Sequence, residues 1–192
     1  MLEAFLARRR VGQARRLIPE NARTGRILDI GCGSYPLFLL HSGFAERYGL
    51  DRVKRAHLDV AGLTILEHDV AASSSLPFED AFFAAVTMLA VFEHLEPAVL
   101  AKLLCEIHRV LRPGGVYVMT TPAFWTDPIL RSMAVLGLVS REEVEEHTAV
   151  YSLEQTMSML TGAGFDAALI RRGTFEAGLN QWIRAQRSGE VS

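Results

Sequence analysis

The feature of this chain that most limits its fold is a regular alternation between short apolar runs and longer segments with helical periodicity. The apolar runs are followed by polar or glycine-containing stretches, which is typical of buried strands. Alternation of this kind over about 165 residues predicts an α/β fold with a mostly parallel sheet and helices on both faces. The first five predicted strands are RILDI (26–30), AERYGLD (45–51), LTILEHD (63–69), FFAAVTMLAV (82–91) and VYVMTTP (116–122).

The remaining segments complete one predicted domain over residues 1–192. Residues 1–20 predict an N-terminal amphipathic helix that ends before Pro19. A complete helix pattern covers 96–115, where a proline followed by two glycines is expected to end it. A less regular insertion (123–150), a helix (152–165) and a closing pair of strands (166–186) follow.

Composition limits the class of partner. The 192 residues are 49% hydrophobic and carry 20 basic and 22 acidic side chains, a net charge of -2, so no basic excess indicates a nucleic acid or an anionic membrane. The longest nearly apolar run, Ala81 to Phe92, is shorter than the ~20 residues of a spanning helix, and the first residues lack the order of a signal peptide. We therefore expect a cytoplasmic protein with a small-molecule partner; its oligomeric state is left open.

The two cysteines, Cys32 and Cys105, show no spacing typical of a zinc site, so no metal is expected. Cys32 lies between two glycines in ILDIGCGSY (27–35). Packing explains a small side chain there better than a nucleophilic role does.

Gly31 and Gly33 follow the first predicted strand directly. Glycine accepts positive φ angles and lets a ligand approach the backbone closely. Nicotinamide and flavin enzymes, methyltransferases and ordinary strand ends all contain such short turns, so the turn alone does not identify a ligand.

Two acidic residues at later strand ends limit which ligand the glycine turn can bind. Asp51 lies 22 residues after Asp29, where a carboxylate can accept hydrogen bonds from both hydroxyls of a ribose. Asp69 lies 18 residues further on, in EHDV, where its side chain and the following backbone can reach an adenine. Asp59, in HLD, is a rival ribose ligand if the second strand is misplaced.

Taken together, these motifs resemble the class I S-adenosylmethionine-dependent methyltransferases, especially small bacterial ones similar to those of quinone and glycan biosynthesis. The resemblance covers residues 26–122 and includes the segments ILDIGCG, YGLD, EHDV, LPFEDAFFAAVTMLAVFEHLE and EIHRVLRPGGVYVMTTP in that order. It implies a Rossmann-like sheet of seven strands with the last strand antiparallel, and S-adenosyl-L-methionine as the cofactor.

The resemblance also implies roles for single residues. Asp29 and the backbone of Gly31 and Gly33, with Cys32 between them, would hold the amino acid end of the cofactor. Asp51 would hold the ribose. The residues implied on the adenine side are Asp69, Val70, Leu76, Pro77 and Phe78, and those beside the methyl donor are Ala90, Glu93 and His94.

Tyr35 departs from the family pattern, which commonly has a third glycine there. We expect a reshaped loop. Packing of the Tyr35 ring as a wall is favoured over the alternative, in which its hydroxyl reaches the cofactor carboxylate or the acceptor.

Methyl transfer from a sulfonium is an in-line displacement that mainly requires alignment and exclusion of water. A histidine is the natural base for an acceptor that loses a proton. His94 is the first candidate and His147, in the insertion, the second; loop hydrogen bonding is the alternative for each.

The insertion 123–150 is a candidate lid and the best place to look for acceptor selection. Phe124 and Trp125 can stack on a sugar or another flat acceptor, although burial explains them nearly as well. The family's branches that methylate adenine and glutamine carry an Asn or Asp, two prolines and an aromatic residue after the fourth strand, whereas this chain has MLAVFEH (88–94) there. FEAGLNQWIRAQR (175–187) resembles the ends of methyltransferases from glycan gene clusters, which implies a sugar or sugar-lipid acceptor.

Two other functions remain open from the sequence. The first is a sensor or partner subunit that binds S-adenosylmethionine or its product without catalysis. The second is a nicotinamide-dependent oxidoreductase, which is disfavoured because the turn lacks the longer glycine fingerprint.

Overall fold

The computed structural model describes residues 2–53, 58–126 and 151–189. Seven strands form one sheet within these residues. The strands are β1 (Arg26–Ile30), β2 (Glu46–Asp51), β3 (Leu63–Glu67), β4 (Phe83–Leu89), β5 (Leu111–Pro122), β6 (Ile170–Phe175) and β7 (Asn180–Gln186). The α-helices are α1 (Leu2–Leu17), α2 (Leu37–His41), α3 (Pro97–Val110) and α4 (Leu153–Gly162).

The strand order across the sheet is β3-β2-β1-β4-β5-β7-β6. Strands β1 to β5 pair in parallel, whereas β7 is antiparallel to both β5 and β6. The predicted Rossmann-like sheet with an antiparallel last strand is confirmed. Because β2 and β3 lie on one side of β1 and β4 and β5 on the other, the chain reverses its direction of travel across the sheet at β1, which is where such folds bind ligands.

Helices cover both faces of the sheet, as predicted. Leu28 and Ile30 of β1 point to one face and pack in a core cluster with buried residues of α3 and α4. Ile27 points to the other face and packs with residues of α1 and α2. This alternation follows from the two-residue period of a strand and leaves Asp29 on the α1 face.

The end of α3 differs from the prediction. The helix ends at Val110, and β5 already begins at Leu111, which is fully buried and pairs with Phe83 of β4. The pairing of β4 and β5 then shifts register before Ala85. Burial of Leu111 therefore ends the helix earlier than the downstream proline and glycines do.

In the parts of the chain that the structure describes, no helix is long and apolar enough to cross a membrane.

Candidate functional site

The ends of β1, β2, β3 and β4 meet at one edge of the sheet, which we call the carboxyl edge. The register pairs Ile30 with Leu50 and with Met88, so the residues that follow these three strands are neighbours. The predicted glycine turn leaves β1 at this edge. Each cofactor-binding residue predicted from the sequence follows or ends one of these strands.

The glycine turn is fixed by the strand beside it. The N–H groups of Gly31 and Cys32 both donate to the Leu50 carbonyl, at 2.8 and 3.1 Å. Gly31 and Gly33 have φ angles of 71° and 73°, in the left-handed region that favours glycine. A Cβ on Gly33 would meet nothing within 4 Å, so the backbone there is open to a ligand.

Asp51 holds the far side of this turn. Its Oδ2 accepts a hydrogen bond from the Gly33 N–H at 2.8 Å, and its Oδ1 accepts one from the Val53 N–H at 3.1 Å. These two donors fix the orientation of the carboxylate at the end of β2. Since each carboxylate oxygen accepts two hydrogen bonds, both can still receive a ribose hydroxyl.

Asp59 lies elsewhere. It is exposed and precedes β3, whose first residue pairs with Arg47 near the start of β2. This is the opposite end of the strands from the carboxyl edge. Since β2 ends at Asp51 as predicted, the condition under which Asp59 would replace it is not met, and Asp51 as the ribose ligand stays a prediction.

Asp29 is a deeply buried acid at the edge, with only 4% of its surface exposed. The Thr87 hydroxyl of β4 donates to its Oδ1 at 2.6 Å. Burial raises the pKa of Asp29 to about 7, the Thr87 hydrogen bond opposes this, and the nearby Asp51 charge adds to it. A cationic group bound beside Asp29 would therefore favour the ionised form of this buried acid over its protonated form.

This buried acid makes stability depend on pH. Because the pKa of Asp29 is about 7 in the folded protein and 3.8 in the unfolded chain, the folded state retains a proton between these values. The retained proton on Asp29 stabilises the folded state. This stabilisation is fully present below the unfolded pKa and is lost as the pH rises through about 7. Relative to Asp29→Asn, we expect the wild type to lose about 2 kcal/mol of unfolding free energy between about pH 5 and about pH 8. Urea unfolding at both pH values measures this, and a pH-independent difference would contradict it.

Cys32 is a packing residue. Its side chain is 92% buried, and its Sγ lies 2.7 Å from the position of a Cβ added to Gly49. Burial raises the pKa of the thiol to about 12, so the nucleophilic thiolate is not formed near neutral pH. Its backbone N–H is already bonded to the Leu50 carbonyl, so only its position in the turn remains relevant to a ligand.

Asp69 and Val70 follow β3 next to Asp51. The His68 N–H donates to the Asp51 carbonyl at 2.8 Å, which ties the end of β3 to β2. Asp69 is exposed, and its Oδ1 accepts from the Ala71 N–H at 2.9 Å, as in an Asx turn. The Val70 side chain is buried in the core, so only its backbone remains for the predicted adenine contact.

The segment after β4 is anchored at several points. Ala90 has a φ of 57°, and its N–H donates to the Thr120 carbonyl at 2.9 Å. The buried Glu93 accepts a hydrogen bond from Thr121 at 3.0 Å. Tyr151 donates to the Leu95 carbonyl at 2.9 Å. His94 lies between these anchors and is partly exposed at the carboxyl edge.

His147 and most of 123–150 lie outside the described residues, so the second candidate base and the candidate lid stay predictions. Trp125 is 46% exposed, which excludes full burial as its explanation. Tyr35 is 59% exposed, so its ring does not pack in the core, and its predicted place in the wall of the site stays a prediction.

Sequence reasoning missed Thr87, whose hydroxyl is the polar partner of Asp29. The available signal was a single hydroxyl residue within the otherwise apolar β4 segment FAAVTML. No group of three or more metal-ligating side chains occurs among residues 2–53, 58–126 and 151–189.

Comparison with known proteins gives the same family as the motifs. A family profile described as a methyltransferase domain matches residues 28–119. A probable S-adenosylmethionine-dependent methyltransferase of Mycolicibacterium smegmatis is 31% identical over 155 residues, which are 70% of this chain and 60% of that protein. An uncharacterized methyltransferase of Synechocystis is 27% identical over 179 residues, covering 87% of this chain and 78% of that protein. This chain therefore spans only 60% of the length of the Mycolicibacterium relative.

A solved structure shows the shared fold. The crystal structure of an S-adenosylmethionine-dependent methyltransferase from Archaeoglobus fulgidus superposes with a TM-score of 0.70 at 17% identity and covers 92% of each chain. The profile match, the relatives and the strand order agree. Residues 28–119 are therefore a methyltransferase domain, and the chain is similar to class I S-adenosylmethionine-dependent methyltransferases, enzymes whose cofactor is S-adenosylmethionine.

Proposed function

We propose that this protein transfers a methyl group from S-adenosylmethionine to a small-molecule acceptor such as a sugar, a glycan precursor or a quinone-like metabolite. The observation that carries the proposal is the arrangement of Asp29, Gly33 and Asp51 along adjacent strand ends, with Asp51 bonded directly to the Gly33 N–H. The formal charge of -2 supports a small acceptor over a nucleic acid.

The residues at the carboxyl edge fit the cofactor. Asp29 is a buried acid whose ionised form gains from a cationic ammonium group. The open backbone at Gly33 leaves room for the amino acid end, because no side chain occupies that position. Asp51 takes the ribose hydroxyls, and Asp69 with the Val70 N–H takes the adenine. When bound, the cofactor supplies a methyl group activated by its sulfonium charge.

The protein then has to align the acceptor and exclude water from the transfer. The segment from Ala90 to Leu95 suits this because hydrogen bonds from Ala90 to Thr120 and from Tyr151 to Leu95 hold both of its ends. His94 on this segment takes the acceptor proton as a general base. Glu93 supports the same turn from its buried position beside Thr121.

A binding measurement tests the proposal directly. We expect S-adenosylmethionine and its demethylated product to bind the purified protein in calorimetry, and NAD not to bind. Preference for NAD would make the glycine turn an oxidoreductase site. Binding of the methyltransferase ligands without methyl transfer to any acceptor would favour the non-catalytic sensor.

The role of His94 is tested by the rate of methyl transfer to an acceptor that the wild type methylates, together with the same calorimetry. For His94→Gln, we expect a loss of about 100-fold in kcat, because general-base catalysis contributes about 100-fold or more, and an unchanged affinity for S-adenosylmethionine. His41→Gln, a histidine at the end of α2, is the matched control. An unchanged kcat would assign His94 to the loop structure alone.

A further inference from the structure

The turn between β6 and β7 lies at the carboxyl edge, on the side away from the predicted cofactor acids. Asn180, the first residue of β7, pairs with Pro122 at the end of β5. The Ala123 N–H donates to the Leu179 carbonyl at 2.9 Å, which continues this pairing beyond the strand. Since β5 also neighbours the Ala90 segment, the turn lies where an acceptor would extend away from β1 to β3.

Glu176 in this turn has an unused hydrogen-bonding position. Its side chain is only 7% exposed, and Asn180 Nδ2 donates to its Oε2 at 2.5 Å. Its Oε1 is buried and accepts no hydrogen bond. Arg9 of α1 places its Nε 3.9 Å from Oε1, which is an ion pair without a hydrogen bond. A buried carboxylate oxygen without a donor is costly, so this position favours a ligand that supplies one.

The backbone of the turn is strained at the same residue. Glu176, Ala177 and Gly178 have φ angles of 54°, 55° and 87°, so three successive residues adopt the left-handed region. Only the glycine does so without steric cost. Strain of this kind is retained mainly where the surrounding structure needs a side chain in one position, as at ligand sites.

Trp125 lies against this turn. A Cβ on Gly178 would be 3.6 Å from its indole ring, yet 46% of the tryptophan is exposed. The Thr126 hydroxyl donates to the Ala123 carbonyl at 2.6 Å and fixes the short helical turn that carries Trp125. The turn between β6 and β7 therefore carries a buried hydrogen-bond acceptor and lies against an exposed aromatic ring.

We propose that Glu176 and Trp125 form an acceptor subsite for a ring that carries hydroxyl groups. A ring hydroxyl donates to Glu176 Oε1 while an apolar face of the ring packs on the indole. A neutral hydroxyl fits better than an amine, because Arg9 already balances the Glu176 charge. The inference rests on the proposed methyl transfer and names the chemistry of its acceptor.

The test uses methyl glycosides of common hexoses and deoxyhexoses as probes. The whole protein is saturated with S-adenosylhomocysteine, and each glycoside is titrated by calorimetry. We expect at least one to bind and Glu176→Gln to weaken it about 10-fold or more, as for loss of a hydrogen bond to a charged group. Because Asn180 donates to Oε2, the glutamine carbonyl oxygen takes that position, and the amide NH2 donor then replaces the acceptor at the position of Oε1.

Two further variants separate the possible outcomes. Trp125→Ala should weaken the same glycoside, whereas Glu154→Gln, an exposed carboxylate on α4, should not. S-adenosylhomocysteine affinity should remain unchanged in all three and reports that each is folded. If no glycoside binds, or if Glu176→Gln binds it as tightly as the wild type, the subsite is wrong. Failure of the wild type to bind S-adenosylhomocysteine would instead overturn the proposed function.

Discussion

Replacing Asp51 with alanine should lower the affinity for S-adenosylmethionine by about 100-fold or more. In the structure this carboxylate accepts hydrogen bonds from the N–H groups of Gly33 and Val53, and we assign it the ribose hydroxyls as well. Hydrogen bonds to a charged group contribute about 1.5–3 kcal/mol each, so loss of two ribose contacts alone accounts for the effect. Loss of the Gly33 contact adds to it, because the glycine turn is then held from one side only.

The matched control is Asp59→Ala. Asp59 is an exposed acid in the connection that follows Asp51, but it lies at the opposite end of the strands. Calorimetry with S-adenosylmethionine on both variants should therefore show a large loss for Asp51→Ala and almost none for Asp59→Ala. Equal losses, or the reverse order, would show that the ribose is bound elsewhere.

The carboxyl edge could be predicted because it depends on periodicity and on residue type. Each strand pattern ends in a residue whose chemistry is visible in the sequence, as in LDIG and GLD. Parallel strands bring such ends together whatever the details of packing. The order of strands then makes neighbours of Asp29 and Asp51, although 22 residues separate them in the chain.

The features that the sequence did not predict depend on contacts between distant residues. The raised pKa of Asp29 comes from burial, which no local pattern expresses. Burial of Leu111 ends α3 before the downstream breakers do, and the exposure of Tyr35 depends on what surrounds its loop. Glu176 was missed because the sequence EAG is typical of an ordinary turn. Only the folded structure shows that Asn180 donates to one carboxylate oxygen and that the other oxygen, near Arg9, is buried without a hydrogen bond.

Gly31→Ala should destabilise the protein by about 2–5 kcal/mol, even without cofactor. The first cause is the backbone, because a φ of 71° costs a residue with a Cβ about 1–2 kcal/mol. The second is space, because the added Cβ would lie 2.3 Å from Cγ2 of Val91. That distance forces Val91 to move, and overpacking of this kind costs about 1–3 kcal/mol more. Urea unfolding of the cofactor-free protein measures the sum.

Two further variants divide this sum into its causes. Gly114 has a similar φ of 75°, but a Cβ there would meet nothing within 4 Å, so Gly114→Ala should show the backbone cost alone. Val91→Ala in the Gly31→Ala background removes the clashing methyl group and should recover the packing part, which a double-mutant cycle isolates. If Gly31→Ala costs no more than Gly114→Ala, the contact with Val91 is not tight in solution. If it costs more and Val91→Ala restores the difference, the glycine at position 31 is required by the segment after β4 as well as by its own φ. In that case the cofactor turn and the segment that carries His94 are coupled through one contact.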